Sequence, residues 1–314
     1  MKPTQPTLVV TPGMGIGPEV TLRAIEQRQS EGQARLPLRL IGRRDALERA
    51  NHAVRIPLDG STGVWFEEPP DEGLPTEAAA IQMGVTECLE GRAGALVTGP
   101  IHKKRLRERG FSYNGHTDFL ASLCDAESVM AFHGPRFSVG LVTTHLPLAD
   151  VPAAIQTDRV RYTIQTFALA LRDVLGIAHP RIGVCGLNPH AGEQGVLGME
   201  EISVIEPVVD SLRQQGWQLL GPASAETCFL MARNGELDGV VAMFHDQALV
   251  PLKVLDFGQT VNWTLGLPIV RTSVDHGTAD ALVGTGTANP SSMVSALALA
   301  EKIVLRRAET KPRS

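Results

Sequence analysis

Short apolar runs alternate with longer amphipathic segments along most of this chain. The runs are rich in Val, Ile and Leu and too short for helices, which is typical of strands buried on both faces. The predicted strands lie at 8–11, 38–41, 64–66, 95–98, 128–132, 139–143, 181–187, 238–243 and 268–272. One predicted helix begins at Pro18, and the others lie at 43–51, 76–92, 117–124, 157–175, 199–214, 224–233 and 291–307. This alternation predicts an α/β protein in which a largely parallel sheet carries helices on both faces.

Composition and charge narrow the class of protein. With 43% apolar and 20% charged residues the chain is typical of a globular protein, and 314 residues are enough for two domains. Because no low-complexity linker separates its halves, we expect two domains that share a cleft and are crossed by the chain more than once. The net charge of −5, without a basic segment interleaved with aromatic residues, argues against a nucleic-acid partner.

The cysteines and the apolar runs bear on the compartment. Cys88, Cys124, Cys185 and Cys228 form no Cys-x-x-Cys pair and lie in apolar contexts, which predicts reduced thiols. The chain opens directly into a strand, and no apolar stretch reaches the roughly 18 residues that span a bilayer. We therefore expect a cytoplasmic protein that makes no contact with a membrane.

Three histidines share one local pattern. His145, His190 and His245 each follow an apolar run at the point where the predicted strand gives way to a loop. Ligands of α/β sheets bind beyond the carboxyl ends of the strands, so three imidazoles there could hold one divalent metal with a position left open. Three imidazoles suit zinc, cobalt or nickel. A single buried histidine is more often a core group, so this prediction depends on the trio.

Polar residues near these histidines extend the candidate site. Asp246 could be a fourth ligand, an orienting group for His245 or a proton acceptor. Lys253, Asn262 and Arg271 stand inside apolar runs, which favours an anion site over a solvated surface. Arg271 is predicted to end a strand.

A possible anion site lies earlier in the chain. The segment Gly115-His116-Thr117-Asp118 predicts a helix start at which Thr117 is the cap and the first backbone N–H groups face an anion. The basic run at 103–107 fits either a solvated helix face or a second anion site.

Two glycine-rich segments could approach a nucleotide. Gly13-x-Gly15-x-Gly17 lacks the dinucleotide-binding spacing and is followed by Glu19, so a structural turn is the favoured interpretation over cofactor contact. The second segment spans 275–290. Within it, His276 could be a metal ligand, a stacking partner for a base or a packing residue.

A series of motifs, in their order along the chain, resembles the motifs of the 4-hydroxythreonine-4-phosphate dehydrogenases of vitamin B6 biosynthesis. The resemblance runs from Leu8 to near Ala300. It rests on Thr-Pro-Gly-Met-Gly-Ile-Gly-Pro-Glu, Val-Thr-Gly-Pro-Ile-His-Lys, Gly-His-Thr-Asp-Phe-Leu, Thr-Thr-His-Leu-Pro-Leu, Gly-Leu-Asn-Pro-His-Ala-Gly-Glu, Phe-His-Asp-Gln-Ala, Val-Asn-Trp-Thr-Leu-Gly-Leu-Pro and Arg-Thr-Ser-Val-Asp-His-Gly-Thr-Ala.

The resemblance assigns expected roles to individual residues. It implies metal binding by His145, His190 and His245, and substrate binding by His116, Thr117, Lys253, Asn262 and Arg271. Asp246 and Lys253 are the candidate proton acceptors. The second glycine-rich segment is similar to the adenosine-binding loop of isopropylmalate and isocitrate dehydrogenases, which implies cofactor binding by His276, Gly277, Thr278 and Asn289.

The resemblance also implies an architecture. We expect two α/β/α domains around a central cleft, isopropylmalate dehydrogenase-like rather than a Rossmann fold. Residues 1–125 with 270–314 would carry the cofactor loop, and residues 126–269 would carry the metal ligands and the dimer contacts. The expected assembly is a homodimer with the active site at the interface.

The implied reaction is an NAD- or NADP-dependent oxidation of 4-phosphohydroxy-L-threonine at C3, with Zn, Mg or Co as the metal. The product, 2-amino-3-oxo-4-phosphooxybutanoate, decarboxylates to 3-amino-2-oxopropyl phosphate on the way to pyridoxal 5′-phosphate. A dehydrogenase of a phosphorylated four-carbon sugar acid is an alternative, and a metal-dependent hydrolase is a further one. An acyl-transfer enzyme of the phosphotransacetylase type is disfavoured because it needs no histidine trio.

Overall fold

The computed structural model describes residues 6–71, 73–113 and 115–310. The chain divides into two compact units. Unit 1 comprises the residues up to Ser128 together with those from Gly266 onward, and unit 2 is Val129–Leu265. Within the described ranges, no helix is both long enough and apolar enough to cross a membrane.

The strands of unit 1 are all parallel and lie in the order β3-β2-β1-β4-β11. Their bounds are β1 (Leu8–Thr11), β2 (Leu38–Ile41), β3 (Val64–Glu67), β4 (Ala95–Thr98) and β11 (Arg271–Ser273). β1 and β4 are buried along their whole length, which explains their unbroken apolar sequences. Arg271 begins β11 rather than ending a strand, so that prediction was wrong.

The helices of unit 1 cover this set of strands. They are α1 (Gly17–Ser30), α2 (Arg44–Val54), α3 (Thr76–Leu89), α4 (Lys103–Arg107), α5 (His116–Cys124) and α11 (Ser291–Thr310). α3 packs on β1, β2 and β4, while α11 packs on β4 and β11. α1 begins one residue before Pro18, which occupies its first turn as expected for proline.

The strands of unit 2 lie in the order β10-β5-β6-β9-β7-β8. Their bounds are β5 (Val129–His133), β6 (Ser138–Leu141), β7 (Ile182–Cys185), β8 (Leu219–Ala223), β9 (Gly239–Ala242) and β10 (Val261–Leu265). β5 is antiparallel to β6 and β10, and the other pairings are parallel. The pattern analysis missed β8 and β10, because Gly221-Pro222 interrupts one and polar residues interrupt the other.

The helices of unit 2 differ most from prediction. They are α6 (Val151–Ala154), α7 (Thr157–Leu169), α8 (Glu206–Gln214), α9 (Ala225–Arg233) and α10 (His245–Asp256). The predicted helix at 157–175 widens into a π-helix over Ala170–Leu175, and α8 follows a π-helical segment at Glu201–Ile205. α10 was predicted to be a loop after β9, and Pro251 inside it is a residue that usually interrupts helices.

The core of unit 2 depends on a close approach between Phe167 and two glycines. Phe167 of α7 is fully buried. A Cβ on Gly239 of β9 would lie 2.7 Å from Phe167 Cε1, and one on Gly140 of β6 would lie 3.0 Å from the same ring. The ring therefore occupies the space of the two missing side chains, and α7 packs directly on the strand backbone.

We expect Gly239→Ala to lower the free energy of unfolding by about 1–3 kcal/mol, because the added methyl group overpacks the Phe167 site. Phe167→Leu in the same chain should recover part of that loss. Urea denaturation of the single and double variants gives the coupling between the two positions. Equal, additive losses would contradict the contact, and Leu169→Ala, at an exposed position beside Phe167, is the control.

Candidate active site

The first glycine-rich turn of unit 1 is filled by protein atoms. A Cβ on Gly13 would lie 2.2 Å from Pro100 O, one on Gly15 would lie 2.1 Å from Thr278 O, and one on Gly17 would lie 2.0 Å from Pro12 O. These glycines are therefore required by close backbone packing. The favoured structural interpretation of this turn agrees with that packing.

The second glycine-rich segment is held by the first turn and by α1. Thr278 is 9% exposed, and its carbonyl accepts a hydrogen bond from Ile16 N at 2.9 Å. Glu19 Oε2 accepts a hydrogen bond from Gly284 N at 3.3 Å. The carboxylate that would repel a pyrophosphate in the first turn instead fixes the backbone of the second segment.

The predicted cofactor residues have different surroundings. Asn289 Oδ1 accepts hydrogen bonds from the N–H and the hydroxyl of Ser291 and so caps the start of α11. His276 Nδ1 lies 2.8 Å from Gly277 O, while its Nε2 is buried and has no hydrogen-bond partner within the described ranges of the chain. A Cβ on Gly277 would meet no atom within 4 Å. Open space beside Gly277 thus occurs together with an unsatisfied ring nitrogen of His276. Thr278 and Asn289 instead make hydrogen bonds that hold the backbone.

A buried cation marks the carboxyl-end region of β4 in unit 1. Arg271 is 1% exposed, and its Nη2 and Nε donate to Thr98 Oγ1 at 2.7 and 3.2 Å. The Thr98 hydroxyl donates to Ser273 Oγ at 2.9 Å, and Ser273 Oγ donates to Thr98 O. Burial lowers the pKa of Arg271 to about 9. An anion placed here would be stabilised by the guanidinium and would return its pKa toward the ordinary value.

His116 lies in the field of two cations. Its Nε2 is buried with no hydrogen-bond partner among the described residues. Burial, followed by the positive charges of Arg271 and Lys103, holds the pKa of His116 well below its ordinary value. The ring is consequently neutral at pH 7.

Lys103 reaches the start of the helix that carries His116. A Cβ on Gly115 would lie 3.1 Å from Lys103 Cε and 3.6 Å from its Nζ. Within the same basic run, Arg105 forms an ion pair with Asp280 at 3.0 Å. The members of the run at 103–107 therefore have different surroundings, since Lys103 lies beside Gly115 and Arg105 is paired with Asp280.

The helix start at 115–118 differs from the predicted one. α5 begins at His116 with Gly115 as its N-cap, at φ 156° and ψ −167°, and without a side-chain cap. The prediction that Thr117 caps the helix was wrong, because Thr117 already lies within the first turn. Its position leaves the first backbone N–H groups available to an anion, which the positive end of a helix attracts.

Two of the predicted metal ligands are neighbours in unit 2. The rings of His145 and His245 have centroids 5.5 Å apart and planes at 42°. His245 Nδ1 lies 2.8 Å from Asp246 Oδ1, an arrangement that leaves Nε2 of His245 for a metal. His245 is the first residue of α10, so the prediction that it lies in a loop was wrong.

His190 stands on a separate and unusual turn after β7. Residues His190–Gln194 all have positive φ, between 43° and 78°. No group of three His, Cys, Asp or Glu with metal-binding geometry occurs among the residues that the structure describes. His145 and His245 are thus brought together, and His190 does not join them in a recognised three-ligand group within one chain.

The remaining predicted substrate residues belong to unit 2. Lys253 is half-buried on α10, and Asn262 lies in β10 opposite Phe132 of β5. His116, Thr117 and Arg271 belong to unit 1. The predicted phosphate contacts are therefore divided between the two units of the chain.

Sequence reasoning missed several residues that support these sites. Thr98 and Ser273 hold Arg271, and Glu201 and Gln247 hold the backbone near His190. The signal for the first pair was a hydroxyl at the end of an otherwise apolar strand. Glu201 carried no such signal, since a glutamate in an amphipathic helix is usually exposed. All four cysteines are free thiols, and none lies in a metal-binding group of the described chain.

Histidines with a supporting carboxylate after parallel strands, and a buried arginine on a strand of the sheet, are typical of α/β enzymes that act on small anionic substrates. Comparison with a protein-family model identifies the family. It matches residues 19–300 and is described as pyridoxal phosphate biosynthetic protein PdxA. The chain belongs to this family, which confirms the family resemblance of its motifs.

Individual relatives of the chain support the same family assignment. The chain is 40% identical to the 4-hydroxythreonine-4-phosphate dehydrogenase of Xylella fastidiosa (strain 9a5c), over 98% of this chain and 99% of the relative. It is 32% identical to the crystal structure of that enzyme from Klebsiella pneumoniae, with a TM-score of 0.82 over 96% and 100% of the two chains. Isocitrate dehydrogenase from Methylococcus capsulatus, 15% identical over 97% and 88% of the chains, shares the fold with a TM-score of 0.50. These likenesses confirm the predicted fold class.

We expect sulfate to stabilise the protein more strongly at pH 6 than at pH 8. His116 is neutral because its pKa is depressed, and a dianion beside it would restore the proton, so anion binding takes up a proton and is favoured as pH falls. Sulfate remains a dianion across this range. Calorimetric titration should give an affinity that rises by up to about tenfold per pH unit on acidification.

His116→Gln should weaken sulfate binding and remove its dependence on pH between 6 and 8. An affinity that is independent of pH in the unmodified protein would contradict the assignment of the proton to His116.

Proposed function

We propose that this protein oxidises the C3 hydroxyl of 4-phosphohydroxy-L-threonine with NAD or NADP, as a 4-hydroxythreonine-4-phosphate dehydrogenase. The product is a β-keto acid, which loses carbon dioxide to give 3-amino-2-oxopropyl phosphate. The observation that carries the proposal is the buried guanidinium of Arg271 in a chain whose family match covers residues 19–300. Relatives with this name support the choice of substrate.

In this proposal the phosphate of the substrate binds in the pocket of unit 1. Arg271 supplies a guanidinium whose fork matches phosphate oxygens, and the start of α5 supplies backbone N–H groups. His116 gains a proton and donates through Nε2, and Lys103 adds a second fixed charge. Lys253 and Asn262 complete the set implied by the family resemblance. Anchoring this remote end orients C3 for reaction.

His145, His190 and His245 would hold the divalent metal, and the donor chemistry fits. His145 and His245 are close, and Asp246 fixes the tautomer of His245 so that its Nε2 can be a ligand. When bound, a divalent cation supplies Lewis-acid stabilisation of negative charge on a substrate oxygen. Zinc, magnesium and cobalt are the candidates.

Proton transfer from the C3 hydroxyl requires an acceptor near C3. Asp246 is engaged with the His245 ring at 2.8 Å, so we assign it the orientation of that ring. Lys253 is then the candidate acceptor. It lies two helical turns after Asp246, on the same face of α10, because seven residues separate them.

The nicotinamide cofactor would bind at the second glycine-rich segment and accept hydride. His276 and Gly277 offer the open surface for an adenosine, while Thr278 and Asn289 shape the backbone around it. Arg43 and Arg44, which follow β2 and are candidate contacts for the 2′-phosphate of NADP, are paired with Asp45 and Glu68. We therefore favour NAD.

We further propose that two copies of the chain assemble so that the metal site lies at their contact. Each of the three histidines is followed by large apolar side chains that are exposed in the single chain. These are Leu146 and Leu148 after His145, then Val196, Leu197, Met199 and Ile202 after His190, and Val250, Val254 and Phe257 after His245. Exposed apolar groups that recur beside a site mark an interaction surface.

The clearest part of this surface is on α10. Val250, Val254 and Phe257 are 59%, 80% and 82% exposed and follow one helical face. Asp246 and Lys253 share that face. A second copy seated on it would bury the apolar stripe and bring its own residues to the histidines, which supports a homodimer with a shared site.

The protein should reduce NAD when given 4-phosphohydroxythreonine, measured as absorbance of the reduced nicotinamide. His190→Ala should abolish turnover and weaken zinc binding while leaving far-UV circular dichroism unchanged, because one imidazole of the set is lost and two remain. Phosphorylated threonate, tested in parallel, separates the sugar-acid alternative. Release of inorganic phosphate without reduction of either nicotinamide would favour a hydrolase and contradict the proposal, and so would full activity in the presence of a chelator.

Val254→Glu should convert the assembly to monomers, measured by light scattering after gel filtration, since a charge on the apolar stripe cannot be buried unpaired. Zinc affinity should fall by about tenfold or more if the partner completes the site. Leu230→Glu, at an exposed apolar position on α9, is the matched control and should change neither property. A monomeric protein without the substitution would overturn the dimer.

A further inference from the structure

The turn that carries His190 adopts a backbone conformation that its residues do not favour. His190, Ala191, Glu193 and Gln194 have φ values of 53°, 52°, 43° and 58°, and Gly192 lies among them at 78°. Single non-glycine residues rarely enter this left-handed region, and consecutive ones do so only when surrounding contacts determine the backbone. Something outside the turn must therefore hold it.

Glu201 provides these contacts. Its Oε1 accepts hydrogen bonds from the backbone N–H groups of Leu187 and Asn188 at 2.7 and 2.8 Å. Its Oε2 accepts from the Asn188 side-chain amide at 3.0 Å. The residue is only 3% exposed, so these bonds satisfy a buried carboxylate at the point where the chain leaves β7 and enters the turn.

The backbone also closes around the carboxylate sterically. A Cβ on Gly192, inside the left-handed turn, would lie 2.6 Å from Glu201 Oε2. A Cβ on Gly186, just before the turn, would lie 2.9 Å from Glu201 Oε1. Both glycines thus leave room for the carboxylate, which is in contact with the turn on two sides.

A second side chain ties the same segment to the start of α10. Gln247 Nε2 donates to Gly186 O at 2.8 Å, and its Oε1 accepts from Met243 N at 2.7 Å. Met243 precedes His245 by two residues. The base of the His190 turn and the segment that leads to His245 are therefore fixed to each other by one amide.

We infer that Glu201 is a positioning residue for His190, holding the strained turn so that its imidazole is placed for a divalent cation. The inference rests on the proposed metal-binding role of His190. Glu201 itself touches no reacting atom, since both of its oxygens are occupied by the Leu187–Asn188 segment. Its effect on chemistry passes through the backbone of residues 187–192.

The contacts require a carboxylate rather than an amide. Every partner of Glu201 is a donor, and an ionised carboxylate is an acceptor at both oxygens. In Glu201→Gln, the new NH₂ group would face the Asn188 amide as donor against donor. The side-chain volume is almost unchanged, so this substitution tests the hydrogen bonds separately from packing.

We expect Glu201→Gln to weaken zinc binding by about 10- to 100-fold, the range found when groups that support metal ligands are removed. The measurement is competition with a chromophoric chelator on the full-length protein. Hydrogen exchange of the peptide covering residues 187–195 should accelerate, while exchange in the strands of unit 2 stays the same. Glu206→Gln, one turn further along and exposed, is the matched control and should change neither.

A double-mutant cycle separates positioning from a general structural role. In the His190→Ala background, Glu201→Gln should have no further effect on zinc affinity, because the residue it positions is gone. If Glu201→Gln does not fold, Gly192→Ala is the second variant, since its methyl group would push against Oε2, and the same loss of zinc affinity is expected.

The possible results separate this inference from the proposed function. Zinc binding by the unmodified protein with equal affinity in Glu201→Gln would overturn the inference alone. Absence of divalent-cation binding by the unmodified protein would overturn the metal proposal and this inference with it. Additive losses in the cycle would assign Glu201 a structural role only.

Discussion

The burial of the Arg271 guanidinium is the constraint on which the chemistry of unit 1 depends. A cation taken out of water is costly unless hydrogen bonds and an opposite charge compensate it. Thr98 supplies hydrogen bonds from the neighbouring strand, and Ser273 orients the Thr98 hydroxyl. Burial lowers the pKa of Arg271, and an anion beside the buried guanidinium would oppose that shift.

The same charge determines the state of its neighbour. Burial, followed by the positive charges of Arg271 and Lys103, lowers the pKa of His116, so fixed positive charge lies beside one neutral ring. A neutral His116 limits the repulsion among positive charges in the free protein. When an anion binds, a protonated His116 would add a hydrogen-bond donor. The histidines of unit 2 are arranged differently, since the rings of His145 and His245 are neighbours and Asp246 Oδ1 contacts Nδ1 of His245.

The sequence predicted the strands that are buried on both faces, and with them the location of the histidines. β1 and β4 are unbroken apolar runs, and such runs have few alternatives in an α/β chain. α10 was not predicted, because Pro251 lacks the N–H group of a helical residue and its cost is offset only by tertiary packing. Local sequence does not contain that information.

In the candidate site, too, some features could be predicted from local sequence and others depend on tertiary contacts. Residue types beside apolar strands led to the predicted histidines and to Arg271, and their roles in binding stay predictions. The left-handed turn at His190–Gln194 was not predictable, since neither alanine nor glutamate favours positive φ. It follows from contacts with Glu201, which lies in the next helical segment of the chain. Thr117 was misassigned as a cap because a glycine can begin a helix without any side-chain oxygen.

The filled turn at Gly13, Gly15 and Gly17 has a consequence for redesign of this scaffold. Its glycines abut carbonyl oxygens of Pro100, Thr278 and Pro12, so the turn has no volume to give to a new ligand. Attempts to exchange one nicotinamide for another by grafting a fingerprint onto the first turn would disturb the backbone that supports residues 278–284. Engineering would have to alter side chains on the outer side of the second glycine-rich segment, where Gly277 faces open space.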